Sequence, residues 1–359
     1  MTLVASQHAI QDNDQRSAAA PRLSVIVPVF NGRLQLPRCL DALAHSSYQA
    51  FEVIVVDDCS TDDSHQIVER AGARYLRTPR QAGPAAARNL GARHAAGDVL
   101  VFVDADVVVT PETLALLAED FARDAQLAAV FGSYDDAPAW SDFLSQYKNL
   151  MHHYVHQTAS ERAATFWAGC GAMRRDVFLE FGGFRPDKYP KPSIEDIELG
   201  FRLAQAGRPI LLDKRVQVKH LKKWTVRGLL RADISYRAIP WSELIVESRN
   251  LPRDLNLDWS ARASAFLVGL LVLAFCLLPV SLAGWFSFLS PAKIAAIAGG
   301  AVLLLLALNA RVYLWFARKR GLLFTAGAVF AHWVYFFYSS AVFVIIALRH
   351  AARRTLRSA

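Results

Sequence analysis

The run Val99-Leu100-Val101-Phe102-Val103 ends in Asp104-Ala105-Asp106, and these acids are the residues best placed by type and spacing to do chemistry. Five apolar residues rich in valine read as a strand covered on both faces. A carboxylate buried without a partner is costly, so a pair at a strand end asks for a cation. In an open α/β sheet, ligands bind beyond the carboxyl ends of the strands. Asp-x-Asp there suits a hard divalent ion shared with a substrate's phosphates. The plainer reading is one capping Asp and one solvated Asp, and the motif alone does not choose between them.

Other acids fall at comparable places. Phe51 to Val56 reads as a second buried strand and runs into Asp57-Asp58, followed by a Cys59-Ser60-Thr61-Asp62 loop and cap. Glu195, Asp196 and Glu198 crowd the first turn of a helix expected over 193–206. That placement also suits the helix dipole without any catalytic role. A strand expected over 210–220 ends in His220. His152-His153-x-x-His156 puts two histidines one helical turn apart, which fits a second metal site less well than a polar helix face.

The elements that must position these groups alternate. Leu23 to Phe30 is the expected first strand, with Pro28 at its C-terminal edge and an Asn31-Gly32 turn after it. Leu36, Leu40 and Leu43 share one helical face. A weak edge strand over 74–77, a helix opened by Gly83-Pro84 and the 99–104 strand complete about 100 residues of alternating strand and helix. That order indicates a mostly parallel sheet. No Gly-x-Gly-x-x-Gly follows the first strand, so the usual dinucleotide cradle is missing. The second half reads as a helix over 140–157, a small-residue loop or strand over 166–173 and a Gly182-Gly183-Phe184 turn.

Of the 359 residues, 53% are hydrophobic, and the excess lies at the C-terminal end. The runs 263–292, 294–310 and 321–348 carry no Asp, Glu, Lys or Arg. Each approaches the length a helix needs to cross a bilayer. The expected organisation is a disordered segment over 1–21, a soluble domain over 22–224, amphipathic interface helices over 225–260, about three membrane helices over 261–348 and a basic tail over 349–359. Within 225–238, Val226, Leu229, Leu230 and Ile234 line one face, Lys223, Arg227 and Arg231 recur every fourth residue on another, and Pro240-Trp241 is expected to break the helix. Trp241 and Trp259 are candidate interface anchors. The net charge of +8 comes largely from cations flanking the apolar runs, which suits anionic headgroups better than a nucleic-acid groove. Cysteines 39, 59, 170 and 276 have no Cys-x-x-Cys spacing, so neither a disulfide framework nor a zinc site is expected. The first 21 residues lack a signal peptide's apolar core, so the domain is expected to stay in the cytosol as the catalytic part of a multi-pass inner-membrane protein.

Together, Pro28-Val29-Phe30-Asn31, Val55-Val56-Asp57-Asp58-Cys59-Ser60-Thr61-Asp62, Ala87-Arg88-Asn89, Asp104-Ala105-Asp106, Gly182-Gly183-Phe184 and Glu195-Asp196 make residues 22–225 resemble the inverting glycosyltransferases of family 2, with a GT-A fold. The resemblance implies roles. Pro28, Phe30, Asn31, Asp57 and Asp58 would meet the nucleotide of a nucleotide-sugar donor, UDP-linked by preference and GDP- or dTDP-linked otherwise. Arg88 would approach the diphosphate or pair with an acid. Asp106 would hold Mg²⁺ or Mn²⁺ with His220, and Asp104 would contact the ribose or the metal's surroundings. Asp196 would be the general base, with Glu195 as alternate base or orienting partner. His220-Leu221-Lys222-Lys223-Trp224 looks like a variant of the Gln-x-x-Arg-Trp element of membrane polysaccharide synthases, with Lys223 and Trp224 toward the acceptor. The His and Lys replacements speak against processive synthesis.

The resulting expectation is a membrane-anchored, metal-dependent transfer of sugar to a lipid-linked or glycolipid acceptor at the cytoplasmic face. A processive synthase, a nucleotidyltransferase and a non-catalytic scaffold with membrane contacts are the competing readings. The retained acids argue against the scaffold, and Glu195-Asp196 with the Gly-Gly-Phe turn fits the nucleotidyltransferase poorly.

Overall fold

The structure is a computed structural model that describes residues 20–248, 259–284 and 290–358. Most of the expected N-terminal segment and the 249–258 link lie outside the described residues.

The head begins β1 (Leu23–Val29), α1 (Leu36–Ala44), β2 (Phe51–Asp57), α2 (Ser64–Arg70), β3 (Arg74–Arg77), α3 (Gly83–His94) and β4 (Val99–Val103). β3, β2, β1 and β4 are neighbours and all parallel. Their valines and isoleucines alternate between two apolar layers, so Val25, Val27, Val55 and Val101 meet Leu36, Leu40 and Leu43 of α1 on one side. Ile26, Ile54, Val56 and Leu100 meet the alanines of α3 on the other. Gly91 lets α3 approach, because a Cβ there would press on Ile26 and Val56.

The other half comprises β5 (Val107–Val108), α4 (Thr113–Arg123), β6 (Ala129–Tyr134), α5 (Phe143–Thr158), β7 (Cys170–Arg174), α6 (Arg175–Glu180), α7 (Glu195–Gln205) and β8 (Ile210–His220). Here the sheet is mixed. β7 runs antiparallel between β4 and β6, β6 and β8 are parallel, and β5 closes the eight-stranded order antiparallel to β8. The antiparallel insertion brings the ends of β4, β6 and β8 and the residues leading into β7 to one edge. The Gly182-Gly183 turn is real, with φ of 71° and 66°.

Beyond the head lie α8 (Val226–Asp233), a π-helical turn over Ile234–Ala238, α9 (Ile239–Ser248), α10 (Trp259–Leu282), α11 (Pro291–Leu308) and α12 (Ala310–Ser358). Pro240 does not break the run as expected. It falls at the second position of α9, directly after the π-helical turn, where the hydrogen-bond ladder has already shifted register. α12 is two helices meeting at Gly321, whose φ of 81° no helix accommodates. The three helices α10, α11 and α12 are long and apolar enough to cross a membrane. The expected third run, 321–348, is not wholly free for that purpose. Its first turns fold back on the helix before Gly321 and on α5, where Phe324 meets Phe143 and Ala328 joins Tyr147, Leu150, Val312 and Phe316. Lys319 and Arg320 engage Asp136 and Gln146. The basic 318–320 segment therefore lies on the head's side.

A buried polar junction fastens the head to the last helix. Lys148 of α5 donates to both oxygens of Asp233, at 2.6 and 2.7 Å, and the Tyr338 hydroxyl donates to the same carboxylate at 2.7 Å. Burial, opposed by Asp233, brings the Lys148 ammonium down to about 8. Asp233→Ala strands this lysine and should cost on the order of 3 kcal/mol. Thermal unfolding in detergent checks this: the midpoint should fall by several degrees, and an unchanged midpoint would contradict the junction.

Candidate active site

β4 delivers Asp104 and Asp106 to the convergent edge. Arg88, one and a half turns into α3, is buried between two acids: it donates to Asp104 Oδ1 at 2.6 Å and to Glu195 Oε1 at 2.9 Å. Its planar fork makes both bonds at once. Glu195 Oε2 accepts the Ser193 amide at 2.9 Å, so both oxygens of this carboxylate are engaged. Glu195 thus bridges the Arg88 guanidinium and the Ser193 amide. Burial raises the Asp104 carboxyl above its ordinary value, aided by Asp106 and Glu195 and opposed by Arg88.

Asp106 and His220 meet as expected: Nε2 lies 3.5 Å from Oδ2. The pairing of Val107 with His220 across β5 and β8 sets that distance. Burial acts against the Asp106 charge, but the His220 ring and Lys222 hold the carboxyl below its ordinary value. Among the described residues no group of three or more His, Cys, Asp or Glu side chains is placed to hold an ion. Asp106 supplies an oxygen donor and His220 a nitrogen donor, a pair suited by chemistry to a divalent ion but short of a full set of protein ligands.

Asp196 sits at the start of α7. Its Oδ2 accepts the Ala168 amide at 2.9 Å and its Oδ1 accepts its own Ile197 amide at 2.8 Å. Burial, with Glu195 beside it, raises the carboxyl to about 6 despite these bonds and Arg88. A carboxylate with that value is ionised at neutral pH yet basic enough to take a proton.

The residues expected around the nucleotide divide into two groups. Asp57 and Asp58 are buried and occupied. Asp57 accepts from the Ser60 amide and the Tyr75 hydroxyl, and Asp58 from Thr78 and from the Ala82 and Gly83 amides at the start of α3. They shape the loops that would face a base. Phe30 is 47% exposed, and Asn31, at φ 53°, accepts from Thr61. Pro28 lies within β1, opposite Val56. On the other side, Trp224 is buried with the Lys222 ammonium 4.3 Å from its ring centroid, while Lys223 covers Trp140.

One group escaped the sequence reading. Tyr134 stacks on His220 at 4.1 Å, and Trp167 and His152 close against Tyr134 at 4.9 and 4.3 Å. These residues come from β6, β8, α5 and the approach to β7, so only the mixed half of the sheet brings them together. The three histidines of α5 do not converge on an ion: His153 and His156 are bonded through Nδ1 to the Tyr134 and Gly132 carbonyls.

A curled mixed sheet carrying Asp-x-Asp at a central strand end is the GT-A fold. The mannosyltransferase PcManGT from Pyrobaculum calidifontis, solved in complex with GDP-Man and Mn²⁺, shares it with a TM-score of 0.55, at 20% identity over 93% of this chain and 88% of that one. Residues 24–182 match the family model for glycosyl transferase family 2. An uncharacterized glycosyltransferase of Haemophilus influenzae is 39% identical over 192 residues, 51% of this chain and 62% of that protein. The uncharacterized glycosyltransferase YibD of Escherichia coli is 32% identical over 172 residues, 44% of this chain and 50% of that one. The chain thus spans about half the length of such curated relatives. Residues 24–182 of the chain are thus a glycosyl transferase family 2 domain.

Arg88→Lys tests the site's frame. A lysine is a point donor and leaves one buried carboxylate without its partner, which should cost on the order of 3 kcal/mol. A lowered midpoint in thermal unfolding is expected, and wild-type stability would show that Asp104 and Glu195 do not depend on the fork.

Proposed function

We propose that the protein is a metal-dependent, inverting glycosyltransferase that moves a sugar from a nucleoside-diphosphate sugar to a lipid-borne acceptor at a membrane surface. The observation that carries this reading is the position of Asp196. Among the convergent acids of the described residues it is the one held by backbone amides, from Ala168 and Ile197, with no side-chain cation bound to it, and its helix start is packed against the membrane-side elements. Ile197 shares a crevice with Trp241, Leu244 and Ile245 of α9. Ser193 donates to the Tyr236 carbonyl of the π-helical turn at 3.0 Å. Trp241, the expected interface anchor, lies on α9 beside Ile197 and Phe201.

In this mechanism Asp196 takes the proton of the acceptor hydroxyl as its oxygen forms a bond to the anomeric carbon. The bond from that carbon to the diphosphate oxygen breaks on the opposite face, which inverts the configuration, and the nucleoside diphosphate leaves with the electron pair. Ala168 and Ile197 keep the Asp196 oxygens oriented, and Glu195 holds Arg88 against Asp104. Asp106 and His220, with Asp104, would hold Mg²⁺ or Mn²⁺, whose chemistry is to offset charge on the departing diphosphate. Phe30 and the Asn31 loop would receive the base.

The lipid-borne acceptor follows from the same packing. What supports it is that α9, which packs on α12, also packs on the helix that carries Asp196. A cytosolic orientation is part of the proposal, supported by Arg311, Arg318, Lys319 and Arg320 on the head's side of the apolar helices.

Asp106→Asn should lower metal-stimulated turnover by about 100-fold while the unfolding midpoint holds; full turnover would remove this residue from the metal's keeping. Asp196 makes a prediction about pH. Because the carboxyl is lifted to about 6, the basic form is lost as pH falls through 6. The expected kcat/KM is flat above pH 7 and drops about tenfold per unit below 6. Asp196→Asn should lower turnover by about 10²–10⁴-fold with the donor KM little changed. A wild-type profile flat to pH 5 would contradict the role.

A further inference from the structure

We propose that Trp167 and Tyr134 form the acceptor subsite, and that the group received there is the hydroxyl-bearing ring of a glycan or glycolipid rather than a bare lipid phosphate. This rests on the glycosyl-transfer reading above and narrows its acceptor.

Placement comes first. The residues 167–169 are tied to both chemical partners of the site. The Ala168 amide holds Asp196, and the Gly169 carbonyl accepts the Asp104 amide at 3.1 Å. Trp167, adjoining them, is therefore fixed between the base and the strand end that carries Asp104 and Asp106. Gly169 is what allows this, since a Cβ there would collide with the indole ring. The ring is only half-buried despite these constraints. Tyr134 continues the wall, with one ring contact to Trp167 and another to His220. The wall belongs to β6, β8 and the approach to β7, away from the β1 and β2 loops that would receive the nucleotide.

Chemistry comes second. Trp167 offers a partly exposed indole face with its N–H, and Tyr134, its ring held between His220 and His152, adds a rim and a hydroxyl, the combination that buries the C–H face of a pyranose while bonding its edge. A phosphate would instead need unspent cations, preferably a guanidinium fork. The cations around the wall are either paired with acids or exposed single ammoniums, and none among the described residues presents an unpaired fork. Lys148 and Arg237 face Asp233, Lys219 bonds Asp135 at 2.8 Å, Lys222 lies over Trp224 and Lys223 over Trp140. The requirement for a base agrees. An ionised phosphate attacks without losing a proton, whereas a sugar hydroxyl needs Asp196.

The test uses the full chain in detergent, with radiolabelled UDP-, GDP- and dTDP-sugars as donors. The acceptors are a panel of octyl glycosides (glucoside, galactoside, mannoside and N-acetylglucosaminide) set against a polyprenyl phosphate. The expected result is label in at least one octyl glycoside. Trp167→Ala should raise the KM for that glycoside by about tenfold or more while the donor KM stays within about twofold, and Trp167→Phe should recover most of the loss. The unchanged donor KM separates a lost subsite from a lost fold. Transfer to the polyprenyl phosphate alone, donor hydrolysis without transfer to any glycoside, or an unaltered acceptor KM in Trp167→Ala would overturn the proposal. Failure to consume any nucleotide sugar would overturn the glycosyltransferase reading itself, and this inference with it.

Discussion

One buried guanidinium holds the site together. Arg88 joins the end of β4 to the start of α7 through Asp104 and Glu195, residues 16 and 107 positions away in sequence. Burying a charge without partners is far costlier than burying it paired, so the two carboxylates and the arginine impose their geometry on one another. Asp196 follows from that pairing. It adjoins Glu195, feels its charge and is left with amide partners alone. Asp106 follows on the other side, two residues beyond Asp104 and beside His220. One buried guanidinium faces more carboxylates than it can pair, while His220 and Lys222 act on Asp106 from the other side.

The second dependence lies between the head and the long apolar helices. α5 is shared: its outer face packs on the hairpin around Gly321, and its Lys148 bonds Asp233 beside Tyr338. The π-helical turn and α9 then carry contact to Ser193 and Ile197, next to the base. The path from α12 to the Asp196 carboxylate is therefore a few side chains long among the described residues.

Much of this was legible in the residue order, for physical reasons. Valine-rich runs ending in acids can hardly be anything but covered strands, so β1, β2 and β4 and their acids were readable, as were the amphipathic α1 and the Gly182-Gly183 turn. Arg88 was readable as a partner for an acid, though not that it serves two. What stayed hidden depends on long-range pairing. The antiparallel β7 inserts between β4 and β6, and nothing local in Cys170–Arg174 announces it. Trp167 and Tyr134 meet only through that insertion, so their wall had no pattern to betray it. A clue was present in the glycine at 169, beside a large aromatic in a segment otherwise made of small side chains. Asp57 and Asp58 read as ligand-facing, and spacing could not show that they also accept from the Ser60, Ala82 and Gly83 amides and the Tyr75 and Thr78 hydroxyls. Pro240 and Gly321 mislead in opposite ways: the proline is absorbed by a register shift, while the glycine turns a helix inside what reads as an uninterrupted apolar span.

The central claim is that the protein supplies an incomplete metal site which the donor's diphosphate completes. Calorimetric titration of Mn²⁺ into the full chain, alone and with saturating nucleoside diphosphate, tests it most directly. Weak binding to the protein alone and at least about tenfold tighter binding with the nucleotide present is the predicted result, with the gain absent in Asp106→Asn. Equal Mn²⁺ affinity with and without nucleotide, or a nucleotide-dependent gain that survives in Asp106→Asn, would contradict the account.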